Sequence, residues 1–271
     1  MAEVRQIALN DMLLLSPLLQ ALLATLLMWA LTACGAATVF LTRRSSPPVL
    51  DGMLAFGAGV MLAASFWSLL DPALARAAQL GQPPAWVAAG GFLTGSVLLL
   101  LADALMRRRL DLRAPGDARR RAILLVSSIT LHNIPEGLAV GVAFGALTSL
   151  HSPAAAVGAW LLAIGVAVQN FPEGAAVSLP LRREGLSPAR AFLVGQATAL
   201  VEPLAGIAGA LLATYVQGVL PFALSLAAGA MIMVVVAELI PESQHSRFAP
   251  LMTLATLLGF VLMMILDVSL G

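Results

Sequence analysis

The chain has 271 residues, of which 60% are hydrophobic and 11% are charged, and its mean hydropathy is +0.94. Soluble domains carry about 25% charged residues, so this composition predicts an integral membrane protein and leaves no room for a soluble catalytic domain. The net charge is +1, and every basic residue is an arginine. The single cysteine, Cys34, excludes internal disulfides and cysteine-rich metal sites, and we expect its thiol to be buried.

Long apolar runs separated by polar, proline-containing or glycine-containing segments predict eight membrane-spanning helices in one transmembrane domain, residues 1–271. The runs are too long for strands and lack the alternation of strands, so the fold class is all-α. The predicted spans are approximately 13–42, 49–70, 85–106, 122–149, 155–179, 190–214, 218–241 and 250–270.

The arginines predict the orientation of these spans. The loops that follow spans one, three, five and seven hold 13 of the 15 arginines. Loops rich in arginine remain on the cytoplasmic side of the membrane, so we expect both termini to face the outside, which is the periplasm in a bacterium.

Three carboxylates lie well inside the predicted spans, away from their ends: Glu136 in span four, Glu173 in span five and Glu202 in span six. A charge at the centre of a membrane costs about 3 kcal/mol or more, and the interior of no span contains an arginine that could pair with these groups. The three carboxylates therefore need protons, each other or a bound cation.

Two related hexapeptides surround the first two carboxylates and lie 37 residues apart. Span four contains His132-Asn133-Ile134-Pro135-Glu136-Gly137, and span five contains Gln169-Asn170-Phe171-Pro172-Glu173-Gly174. Each proline frees a backbone carbonyl and each glycine permits close helix approach. Such a pair is typical of inverted half-helices in a transporter, with the binding site at the interface of the repeats.

The side chains in these motifs favour a divalent cation, because imidazole, carboxylate and amide oxygens together suit zinc and other first-row metals. Residues four apart share one helix face. The spacing predicts one facing set of four residues: His132, Glu136, Gln169 and Glu173. It also predicts a neighbouring set of three residues: Asn133, Asn170 and Glu202. A protonated glutamate, a packed histidine or a proline hinge would each explain a single position, but these alternatives weaken together because the groups converge on three consecutive helices.

The two motifs and the glutamate in span six resemble those of the ZIP (Zrt-, Irt-like protein) family of divalent-metal transporters. The short form with proline in both motifs is most similar to the GufA-like subfamily, and the resemblance covers nearly the whole chain. It implies a ZIP-like bundle with an inverted repeat and proline-kinked helices four and five. It also implies zinc uptake through the bacterial cytoplasmic (inner) membrane, with Cd²⁺, Fe²⁺ or Mn²⁺ as further cargo and no cofactor. The implied partners are divalent cations and the lipid bilayer, without nucleic acid, and a homodimer is left open.

The resemblance also implies roles for individual residues. The primary metal ligands would be His132, Glu136, Gln169 and Glu173. A second metal would use Asn133, Asn170 and Glu202, with Glu136 and Glu173 bridging, and Met61 in span two would offer a thioether. Many members have a second histidine at the position of Gln169 and some have aspartate at that of Asn170, so this chain is expected to bind more weakly or less selectively and to hold a second metal less firmly.

Further polar residues near the ends of the spans are candidates for the entrance and the exit. Ser68, Asp71 and Asp267 lie near the predicted outer face, where acidic groups would concentrate cations. Glu238, Glu242 and His245 follow one another near the predicted inner face and suggest a release relay. Solvated helix ends explain both groups equally well.

Three other functions are compatible with parts of this pattern. Metal efflux is the nearest alternative, because topology and ligands do not set the direction of transport. A proton-coupled carrier of another solute would also use buried glutamates. An intramembrane metallohydrolase fits least, because the chain lacks a His-Glu-x-x-His motif, and we therefore predict that the protein is not an enzyme. Channel, elevator-like and proton-antiport mechanisms remain open.

Overall fold

A computed structural model describes residues 15–41, 47–109, 118–150, 153–245 and 247–270 of the chain. Five spans are single helices: α1 Pro17–Leu41, α3 Pro84–Arg109, α4 Ala118–Leu150, α5 Pro153–Arg183 and α8 Ala249–Leu270. Three spans join helical segments: α2 contains Pro47–Ala64, Ser65–Leu70 and Asp71–Gln79, α6 contains Pro188–Ala197, Thr198–Leu200 and Val201–Tyr215, and α7 contains Leu220–Val234, Val235–Leu239 and Ile240–Gln244. A short 3₁₀ turn, Gln217–Val219, precedes α7.

The predicted all-α membrane fold is confirmed for the described residues, which contain no strand. Seven of these helices are long and apolar enough to cross a membrane. The helix α4 has 33 residues and is therefore about 50 Å long, more than the ~30 Å hydrocarbon core requires. Together with α4, the seven helices correspond one to one to the eight predicted spans. The predicted start of span one, at residue 13, lies outside the described residues.

The helices pack in matched pairs, which is the pattern expected of an internal repeat. The closest pairs are α4 with α6, α1 with α5, α3 with α7 and α2 with α8. The helices α2 and α7 pack in addition against α5 and α4, respectively. Each closest pair has a counterpart when α1 is exchanged with α6, α2 with α7, α3 with α8 and α4 with α5: the pair α4 with α6 then becomes α5 with α1, and α3 with α7 becomes α8 with α2. The candidate residues lie on α4, α5 and α6, and α1 packs against all three of these helices.

Two segments of π-helix reinforce this correspondence. They occupy Ser65–Leu70 in α2 and Val235–Leu239 in α7. In both helices a proline is the second residue of the segment that follows, Pro72 in α2 and Pro241 in α7. An extra residue in a turn of helix changes which side chains face a neighbour, and such bulges often occur at functional sites. The sequence pattern does not predict these two π-helical segments.

Glycines allow the paired backbones to touch. A Cβ atom on Gly141 of α4 would overlap the backbone oxygen of Gly206 in α6, and one on Gly137 would overlap that of Glu202. In the pair of α1 with α5, a Cβ atom on Gly174 would likewise overlap the backbone oxygen of Thr32. Small residues permit this close packing where the surrounding lipid is as apolar as the side chains themselves.

Two expectations are modified by the structure. The expected burial of Cys34 is wrong, because this side chain is exposed on α1. The helix turns the residue outward while its neighbours Gly35 and Ala36 face the bundle.

Pro135 and Pro172 lie inside continuous helices, so the two motifs do not divide α4 and α5 into separate half-helices. Each proline removes one intrahelical hydrogen bond, which neighbouring helices can compensate in a membrane protein.

The contact between α4 and α6 predicts a specific loss of stability. We expect Gly141→Ala to lower the free energy of unfolding by about 1–3 kcal/mol, because the added methyl group overpacks a backbone contact. The matched control is Gly158→Ala in α5, where an added Cβ meets nothing within 4 Å. Thermal unfolding of the purified variants in detergent measures both changes, and equal midpoints would contradict the proposed backbone contact.

Candidate metal centre

The helices α4, α5 and α6 bury all seven polar side chains that the sequence singles out on them. They are at most 6% exposed: His132, Asn133, Glu136, Gln169, Asn170, Glu173 and Glu202. The motif spacing places the three residues of α4 on one side of that helix and the three of α5 on the facing side. Gly137 admits the backbone of α6 directly beside Glu136, and this contact brings Glu202 into the cluster.

Two amides connect the carboxylates of three helices. Gln169 Nε2 donates to Glu136 Oε1 at 2.8 Å and to Asn170 Oδ1 at 2.9 Å. Asn170 Nδ2 in turn donates to Glu202 Oε1 at 2.7 Å. The two amides of α5 therefore lie between a carboxylate of α4 and a carboxylate of α6. Both predicted facing sets contribute to this one network.

The remaining carboxylate, Glu173, is 5% exposed and lies one helical turn after Gln169 on the same face of α5. Four polar atoms at the cluster are buried without a hydrogen-bond partner in the described part of the chain: Asn133 Oδ1 and Nδ2, Glu136 Oε2 and Glu202 Oε2. Buried groups in this state are costly, and the three oxygens among them are candidate ligand atoms for a cation.

The cluster is not arranged as a closed metal cage. Among the described residues, no three His, Cys, Asp or Glu side chains lie close enough together to hold one metal ion. The amide of Gln169 presents its donor nitrogen to Glu136, whereas a metal ligand must present an oxygen. Metal binding at this cluster would therefore require the amide to rotate and the carboxylates to approach each other.

His132 has a partner that the motif spacing did not predict. Its Nε2 lies 3.1 Å from Glu238 Oε1 in the π-helical segment of α7. Both residues line a cavity of about 120 Å³, together with Asp103 of α3. The sequence contains a signal for this contact, because Glu238 is an acidic residue near the inner end of predicted span seven. The spacing alone, however, groups Glu238 with Glu242 and His245 in a release relay. The latter two side chains are exposed at the end of α7.

On α2, Met61 lies one helical turn after Gly57, which approaches Gln169 of the cluster. A Cβ atom on Gly57, one turn earlier on the same face, would lie 3.1 Å from Cβ of Gln169. Met61 itself is 1% exposed and belongs to the apolar core. Its thioether therefore lies on the side of α2 that packs against α5.

The three predicted entrance residues, Ser68, Asp71 and Asp267, line one larger cavity of about 480 Å³. We call this cavity the vestibule; it lies at the ends of α2 and α8 and the starts of α5 and α7. Ser68 Oγ donates to Asp267 Oδ1 at 2.8 Å, whereas Asp267 Oδ2 is buried without a partner in the described chain. Asp71 is exposed.

Fold and site together define an all-helical membrane protein with a buried carboxylate and amide cluster on three helices. The family model described as ZIP Zinc transporter matches residues 111–267. Zinc transporter ZIP11 of Homo sapiens is 39% identical over 94% of this chain and 98% of the relative. Zinc transporter GufA of Myxococcus xanthus is 35% identical (92% and 98%), and zinc transporter ZIPB of Bordetella bronchiseptica is 39% identical (90% and 79%). The chain therefore belongs to the ZIP family, whose members are named as transporters and not as enzymes.

The two motif asparagines predict opposite effects of one substitution. We expect Asn133→Leu to preserve or raise thermal stability in metal-free protein, because it removes a buried amide that has no partner. Asn170→Leu should lower the free energy of unfolding by about 1–3 kcal/mol, because it leaves Glu202 without its donor. Thermal unfolding in the presence of a chelator compares the two variants. Equal destabilisation by both substitutions would contradict the hydrogen-bond network.

Proposed function

We propose that this protein carries divalent transition-metal cations, chiefly zinc, through the cytoplasmic membrane into the cytoplasm, using the cluster between α4, α5 and α6. The observation that supports the proposal is the burial of three carboxylates in predicted spans whose interiors contain no arginine. Two of these carboxylates have an oxygen without a partner in the described chain. A divalent cation supplies the missing charge and the missing ligand bonds at once.

The chemistry of the cluster supports zinc among divalent cations. Carboxylate oxygens and an imidazole nitrogen are zinc ligands, whereas magnesium and calcium prefer oxygen ligands throughout. On this proposal Glu136 and Glu173 neutralise the cation and His132 supplies the nitrogen ligand. Gln169 rotates its amide so that Oε1 faces the metal. The same set admits Cd²⁺, Fe²⁺ and Mn²⁺, because imidazole and carboxylate bind all of them.

The contact of His132 with Glu238 supports a route away from the cluster. On this proposal, the imidazole of His132 alternates between a glutamate of the cluster and Glu238. This movement connects the cluster with the cavity that α3, α4 and α7 line. That cavity lies toward the arginine-rich ends of the helices, which the positive-inside rule assigns to the cytoplasm. Metal would therefore move from the vestibule, past Met61, to the cluster and then toward Glu238. In this orientation both termini are periplasmic, and a homodimer stays a prediction.

Two substitutions test the transport site. We expect Glu136→Gln and His132→Ala to reduce zinc uptake into proteoliposomes at least about a hundredfold, because each removes a metal ligand at a site without a substitute ligand. Glu184→Gln, at an exposed turn after α5, is the matched control and should retain uptake. A zinc-sensitive dye inside the vesicles measures the initial rate. Uptake by Glu136→Gln at the rate of the control would eliminate this site.

Expression in a zinc-starved host that lacks its own uptake systems tests the direction. The proposal requires a rise in cellular zinc with the wild-type protein and no rise with Glu136→Gln. Resistance to excess zinc without such a rise would instead establish efflux.

Charge balance predicts an exchange of protons for metal. Three ionised glutamates carry a charge of −3, so one divalent cation leaves −1, and one retained proton makes the cluster neutral. Metal ligation requires deprotonated carboxylates, so affinity should fall as pH falls. We assign the retained proton to Glu202, because Asn170 supplies no second anion beside it. Glu202→Gln should preserve the binding of one metal and weaken its pH dependence, whereas Glu173→Gln should abolish transport.

Calorimetric titration with zinc in buffers of different ionisation enthalpy counts the released protons. We expect a positive count for the wild-type protein and a lower count for Glu202→Gln. A count of zero near neutral pH would exclude the exchange, and two metals bound firmly at the cluster would overturn the assignment to Glu202.

A further inference from the structure

The vestibule contains a positive charge, which is unexpected in a cavity that collects cations. Arg76 of α2 lines it together with Asp71 and Asp267. Its Nη1 donates to Gln79 Oε1 at 3.1 Å, and its Nε is buried without a hydrogen-bond partner in the described chain. A guanidinium in this position lowers the local concentration of bare cations, since like charges repel.

The vestibule also contains an oxygen suited to a cation. Asp267 is 9% exposed, and its Oδ2 is one of the buried atoms without a partner. Its other oxygen accepts the hydrogen bond from Ser68, which fixes the orientation of the carboxylate. One cavity therefore offers an unpartnered anionic oxygen and an unpartnered cationic N–H group. A single ligand that carries both signs of charge would satisfy both groups and balance both charges.

Size and charge agree with such a ligand. The vestibule measures about 480 Å³, which lies within the range of about 300–1,000 Å³ that is typical of sites for small organic molecules. Two carboxylates and one guanidinium give a formal charge of −1 when ionised. A divalent cation that carries one singly charged carboxylate ligand has a charge of +1 and neutralises the cavity.

We propose that the vestibule is a binding site for a divalent metal complexed with a small carboxylate ligand of the amino-acid class. Asp267 and Asp71 face the metal, and Arg76 binds the carboxylate of the ligand through its planar N–H donors. The ligand leaves at the vestibule, because the cluster beyond it offers carboxylates and imidazole for the metal but no arginine for the carboxylate of the ligand. The inference rests on the proposed function and identifies the form in which the cargo arrives.

The experiment separates the complex from free zinc. Proteoliposomes receive zinc at one fixed free concentration while glycine is varied, so that only the concentration of the zinc–glycine complex changes. We expect the wild-type initial rate to rise about fivefold with glycine. The ratio of rates with and without glycine should fall to about one in Arg76→Gln and be intermediate in Arg76→Lys. Ethylenediamine, which chelates zinc but has no carboxylate, should give no rise with the wild-type protein.

The outcomes that overturn the inference differ from those that overturn transport. If the wild-type rate follows free zinc alone, the vestibule does not bind the complex, although zinc transport stands. If Arg76→Gln raises the rate equally with and without glycine, the guanidinium only repels cations and the site is excluded. If the wild-type protein takes up no zinc in either condition, the proposed function fails and the inference fails with it.

Discussion

A carboxylate buried inside a membrane requires a partner, and in the described part of this protein Glu136 and Glu202 accept hydrogen bonds from amides. Gln169 and Asn170 donate to the glutamates of α4 and α6, and they keep these groups buried without any basic side chain. Amide donors stabilise a carboxylate without neutralising it, so the cluster retains its demand for positive charge. The proposed transport function agrees with this arrangement, because a buried arginine would compete permanently with a cation for the carboxylates.

Close helix packing is the second condition for the cluster. Gly137 follows Glu136 directly, and its missing side chain is the reason that α6 reaches α4 at this level. A larger residue would move Glu202 away and break the connection through Asn170. The same glycine chemistry recurs in the other three closest helix pairs, where it replaces the hydrophobic driving force that lipid removes. The packing that holds the membrane domain together therefore also determines the distance between the charged groups.

Two cavities that contain charged side chains lie on either side of the cluster, and they differ in size and in charge. The vestibule is large and contains both acidic and basic groups, whereas the cavity near Glu238 is small and is lined by His132 and Asp103. Both cavities adjoin a π-helical segment, that of α2 at Ser68 and that of α7 at Glu238. In each segment one polar side chain, Ser68 or Glu238, lines the cavity.

The sequence by itself determined the number of spans, the all-α class and the burial of three glutamates, because hydropathy and the cost of intramembrane charge depend on local composition alone. Motif spacing also placed Gln169 and Glu136 on facing helix surfaces, since the period of a helix is fixed. Only the tertiary structure decided that Gln169 donates to Glu136, that His132 turns to Glu238, and that Arg76 shares a cavity with Asp267. These contacts depend on the relative rotation of neighbouring helices. Glycine contacts and π-helical turns determine that rotation, and the sequence of a single helix does not encode it.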